Sequence, residues 1–83
     1  MSEKTKMNLP QQIDATLDEL IRLQRQKLSK IARELGVHVT DDDLLSPHDF
    51  PELSRSARFN FEDGVLAGLL SAQMALRSKL EKR

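Results

Sequence analysis

Residues 64 to 76, Gly64-Val65-Leu66-Ala67-Gly68-Leu69-Leu70-Ser71-Ala72-Gln73-Met74-Ala75-Leu76, are thirteen positions without a charge. At about 100° per residue, Val65, Leu66, Leu69, Leu70, Leu76 and Leu80 fall on one broad arc of a helix. Gly64, Ala67, Gly68, Ser71, Ala72, Ala75 and Ser78 fall on the other. The first arc suits packing on another helix. The second is not the charged surface expected of a solvent-facing side, and a helix without charge all round is normally buried all round. Two glycines cost about 1 kcal/mol each relative to Ala in a helix interior, less for Gly64, which lies close to the expected start of the helix. Close approach of another backbone is the usual compensation for small residues spaced by four. Gly64, Ala67, Gly68, Ser71, Ala72 and Ala75 are therefore the candidate partner-binding face. The alternative is a thin helix lying against the chain's own central segment.

Outward from this run, Asn60 is expected to cap the helix, with Glu62 and Asp63 in its first turn and Asp63 at the third position of a capping box. The helix is expected to span about 61–81. Arg77, Lys79, Lys82 and Arg83 would complement the negative end of its dipole.

Residues 36–59 form an acidic connector rich in turn signals. Thr40 followed by Asp41-Asp42-Asp43 reads as an N-cap and an acidic first turn leading into Leu44-Leu45. Ser46-Pro47-His48-Asp49 repeats that logic, and Pro51 is expected to interrupt any continuation. Leu44, Leu45, Phe50 and Leu53 are the expected inward anchors. Stretches this long are seldom structureless inside a compact domain, so short helical turns are expected here.

A first long helix is expected over about 9–35. Asn8 is its N-cap, Pro10 lies in its first turn, and Gly36 stands at the left-handed position that ends it. Ile13, Leu17, Leu20, Gln24, Leu28, Ile31 and Leu35 form its apolar stripe. Pairs eleven residues apart keep that stripe on one face without strong supercoiling. Arg22, Arg25, Lys30 and Arg33 fall opposite and are the candidate anion-contacting residues, although Asp18, Glu19 and Glu34 are interleaved and mixed-charge faces are usually solvated. Residues 1–7 are expected to be disordered.

The expected architecture is therefore all-α. Two long antiparallel helices form a hairpin, with short helical turns in the connecting segment, and complete a four-helix bundle as a dimer. The chain is a single small domain of 83 residues, and one this short buries only about 60% of its unfolded surface. Thirteen basic and thirteen acidic residues cancel, but unevenly: residues 1–39 carry +2, residues 40–63 carry −5 and residues 64–83 carry +3.

Composition excludes several classes. There is no cysteine, hence no disulfide framework or thiolate metal site. The three aromatics are all Phe, and the pI near 6.7 lacks the positive excess of a dedicated nucleic-acid binder. No stretch approaches the roughly 18 apolar residues that span a bilayer, and no apolar run follows Met1 to Lys4. A cytoplasmic location is expected.

Other constellations are faint. Lys30 to Leu45 has the outline of a helix-turn-helix, but its second helix would bring Asp41-Asp42-Asp43 to the phosphates. His38, His48, Asp41, Asp43, Asp49 and Glu52 have no metal-ligand spacing. Glu62 and Asp63 point about 100° apart on a helix, which does not suit paired catalytic carboxylates. Ser46, His48 and Asp49 lack the strand-turn-helix context of a nucleophile. Neither enzymatic activity nor a cofactor is expected. The expected role is a protein–protein interaction module (an adaptor, subunit or chaperone-like protein) binding itself or another helical protein. The alternative is a nucleic-acid-associated accessory protein using the basic helix faces.

Overall fold

The computed structural model describes residues 7–40, 43 and 49–81. Among them there are three helices and no strand: α1 (Leu9–Glu34), α2 (Pro51–Ser54) and α3 (Ala57–Glu81). α1 and α3 pack along each other as an antiparallel helical hairpin, and α2 lies against α3. No helix among the described residues is long and apolar enough to cross a membrane. The disorder expected for residues 1–7 falls on residues outside the described set, Met7 excepted.

Both ends of α1 follow the local rules. The Asn8 side chain accepts from the Gln11 backbone N–H at 2.9 Å, and the Gln11 side chain accepts from the Asn8 N–H at 3.0 Å, a reciprocal capping box. Pro10 occupies the first turn, where its missing donor costs nothing. Leu35 is the C-cap, and Gly36 follows at φ +82°. The Val37 N–H reaches the Ala32 carbonyl and the Gly36 N–H reaches the Arg33 carbonyl, both at 2.9 Å, a Schellman closure.

α3 begins earlier than the acidic pattern suggests. Its cap is Ser56, not Asn60: the Ser56 hydroxyl accepts from the Phe59 N–H at 3.0 Å and the Ser56 carbonyl from the Asn60 N–H. Asn60 is inside the first turn, where its side chain donates to the Ser54 carbonyl at 2.9 Å. The capping box built on Asp63 does not form. Pro51 does not merely interrupt the connector; it opens α2 as its first residue, the position proline favours.

In the connector, Thr40 and Asp43 exchange two hydrogen bonds: the Thr40 N–H reaches Asp43 Oδ2 at 2.9 Å, and the Asp43 N–H reaches Thr40 Oγ1 at 3.2 Å. That is the expected cap at Thr40. The expected anchors Leu44 and Leu45, with Asp41, Asp42, Ser46, Pro47 and His48, lie outside the described residues. Leu53 is fully buried and Phe50 half-buried, as inward anchors.

The core lies at the connector end. Phe59, Leu28, Ile31 and Leu53 are fully buried there, joined by Ala32 and Val37, with Val39 and Phe50 packed alongside. Along α1 the inward positions are Leu17, Ile21, Gln24, Leu28 and Ile31, at steps of 4, 3, 4 and 3. This is a seven-residue repeat rather than the eleven-residue one expected, so Ile21 replaces Leu20 as the inward residue. Leu20 and Leu35, both expected in the stripe, are exposed.

Candidate interaction surface

Hydrogen-bonded pairs fix how the helices face each other. Gln24, buried on α1, donates from Nε2 to the Glu62 carbonyl and to Glu62 Oε1, both at 2.8 Å. Gln73, buried on α3, donates to Asp18 Oδ1 at 2.7 Å. Each helix thus supplies one buried glutamine to an acid on the other. Arg77 adds a two-pronged pair with Asp14 at 2.7 and 3.0 Å and lies 3.6 Å from Asp18. At the connector end, Arg58 meets Glu34 at 2.9 Å and Lys27 lies 3.6 Å from Glu62. Arg77 therefore bridges to α1.

These pairs set the charge states. The Gln24 hydrogen bond, aided by Lys27 and Arg58, holds the Glu62 carboxyl below its ordinary range. The Arg77 hydrogen bond does the same for Asp14. On the outer side of α1, the Glu19 carboxylate accepts from Arg22 at 2.6 Å and raises the guanidinium pKa.

The four basic residues singled out by the sequence share one surface: Arg22, Arg25, Lys30 and Arg33 line a single shallow concavity with Gln26 and Ser29. Its character is tempered by Arg22, whose side chain is paired within α1. In the described part of the suggested helix-turn-helix, α1 ends in the Gly36 turn; most of the second helix lies outside the described residues.

The small-residue face is open. Gly64, Ala67, Gly68, Ser71, Ala72 and Ala75 are all exposed, and a Cβ added at Gly64 or Gly68 would meet nothing within 4 Å among the described residues. Among the described residues the connector does not lie over this face; α2 and its neighbours pack at the end of the hairpin instead. The opposite arc is only partly inward: Leu66 is buried, Leu69, Leu70 and Leu80 are half-buried, and Val65 and Leu76 are exposed.

The two long helices share a further apolar side that periodicity in one helix cannot reveal. With Gln24–Glu62 and Asp18–Gln73 fixing which way each helix is turned, one side of the hairpin carries Leu9, Ile13, Leu20 and Leu23 from α1. The same side carries Phe61, Val65, Ala72 and Leu76 from α3. Leu9 and Phe61 are 66% and 69% exposed, and Leu20 and Leu23 are 44% and 46% exposed. Leu20 was expected in the core and Leu9, Leu23 and Phe61 were assigned no role. Only the register of the pair brings them together. Comparison of the chain with protein-family models, with curated proteins and with solved structures finds no match.

Proposed function

We propose that this protein is a small cytosolic, non-catalytic helical interaction module, an adaptor, subunit or chaperone-like protein that works by packing α3 and the adjoining side of α1 against another helical surface. The observation that carries this reading is the open small-residue face of α3, edged by exposed Phe61, Val65 and Leu76. Contiguous apolar surface of this kind on a small chain usually marks a place where another molecule sits. Two interior helical glycines, each costing about 1 kcal/mol relative to Ala, have no packing neighbour among the described residues that requires them. A close external backbone would supply that reason.

The test is Gly68→Leu. The chain has space for the side chain, so folding should survive, whereas assembly or partner binding should be lost and should have shown little dependence on salt. Unchanged binding by this variant removes the small-residue face from the reading. The nucleic-acid reading draws on the shared surface of Arg22, Arg25, Lys30 and Arg33. It requires affinity that falls steeply with salt and with replacement of Arg25 and Arg33, and Gly68→Leu should leave it untouched.

A further inference from the structure

We propose that the occupant of the open apolar side is a second copy of this chain, joined about a two-fold axis running along the hairpin so that α1 of each copy lies on α3 of the other. This rests on the interaction-module reading and specifies its partner.

Three observations lead to it. First, the hairpin core is lopsided. Its fully buried side chains, Phe59, Leu28, Ile31 and Leu53, are all at the connector end. Toward the other end Ile13, Leu17, Leu69 and Leu80 are only half-buried, so among the described residues that end has no covering layer on its apolar side.

Second, the area fits. Leu9, Leu20, Leu23, Phe61, Val65 and Leu76, weighted by their exposures, present on the order of 500 Å², and the small and half-buried residues between them bring the side toward the ~800 Å² per partner of a standard interface.

Third, shape and charge both select this pairing. Within the hairpin Asp18 is level with Gln73 and Gln24 with Glu62, and a two-fold along the hairpin keeps those levels between copies. Leu20 and Leu23 of one copy then stand opposite Ala72 and Val65 of the other, larger apolar side chains against smaller ones. At the connector end the same alignment puts Lys27 level with Glu62 and Glu34 level with Arg58, opposite charges in each case. Reversing one copy would set these charges against the apolar half.

The measurement is solution mass by light scattering from micromolar to millimolar protein, for the natural chain, for Leu20→Glu/Leu23→Glu, and for Arg22→Ala on the other side. A dimer is expected for the natural chain and for Arg22→Ala, and a monomer for the double variant. Because that variant could fail to fold, the second measurement uses the absence of native cysteine. Chains bearing Leu20→Cys and chains bearing Ala72→Cys are mixed in equal amounts under mild oxidation, and the mixed covalent dimer is expected to exceed either self-linked one by much more than random pairing would give. A monomer at every concentration, a dimer indifferent to the double variant, or self-linked Leu20→Cys as the main product each overturns the proposal. A monomer whose binding to a helical partner is lost on Gly68→Leu would overturn the second copy and leave the interaction module standing. A monomer that binds no protein would end both.

Discussion

At the scale of single residues, the hairpin is specified by polar side chains that composition had made easy to overlook. Gln24 stands in an apolar stripe and Gln73 in an uncharged run, and both are buried with an acid from the opposite helix as acceptor. A buried polar group tolerates few alignments because any slip leaves it unpaired. Replacing Gln24 by Leu should let the Glu62 pKa rise toward the ordinary carboxylate range, read directly by NMR titration of that carboxyl. An unchanged Glu62 pKa would mean that the Gln24 hydrogen bond is not its main cause. Gly36 is specified differently. Its φ of +82° is a region where a side chain costs about 1–2 kcal/mol, and Gly36→Ala should lose about that much in urea unfolding. This glycine was legible in the sequence because a C-terminal stop is a local event. The glutamine partners were not, because each depends on a residue 38 or 55 positions away.

At the scale of elements, the sequence conveys the existence of both long helices and misplaces the start of one. The acids Glu62 and Asp63 resemble a first turn, yet α3 already has Ser56 as its cap and Phe59 in the core. Phe59 decides it: a fully buried aromatic rewards extending the helix backward, and Ser56 supplies the cap that makes this possible. Ser56→Ala should therefore cost about 1 kcal/mol, measured by thermal unfolding. The inward stripe of α1 was legible only in part. Leu17, Gln24, Leu28 and Ile31 fit both an eleven- and a seven-residue repeat, and Leu20 against Ile21 is settled only once α3 is present. The α1–α3 pairing also carries a pH dependence. Asp14 and Glu62 both have lowered folded-state pKa values. Their stabilising contribution is thus complete above the ordinary carboxylate pKa of about 4 and is lost as pH falls through the lowered values. Helix content followed by circular dichroism should show the melting midpoint falling below about pH 4, with a smaller fall in Glu62→Gln.

At the scale of the whole molecule, two halves of one hairpin differ in how much of their apolar surface the described residues cover. The connector end is closed by Leu53, Val37 and Phe50, and a cavity there cannot be relieved by association: Leu28→Ala should cost about 2–5 kcal/mol at any protein concentration. The other end depends on what lies against Leu9, Ile13, Leu20 and Leu76. If that is a second copy, folding and association are linked by mass action, and stability must rise with total chain concentration. The candidate face was legible in the sequence as an uncharged run too long for a short chain to bury. Its extension onto α1 was not, since Leu20 and Leu23 become neighbours of Val65 and Ala72 only through the register that the two glutamines set. The linkage gives a prediction that joins these scales. The melting midpoint of the natural chain should increase with concentration, whereas that of Leu20→Glu/Leu23→Glu should be lower and constant. Leu28→Ala should shift the midpoint down while retaining the concentration dependence, because it weakens the closed end and leaves the open one intact. A concentration-independent midpoint for the natural chain, measured by calorimetry across the range in which light scattering is recorded, would mean that the open end is stable uncovered. The half-exposed leucines would then have to be explained by the fold of the monomer alone.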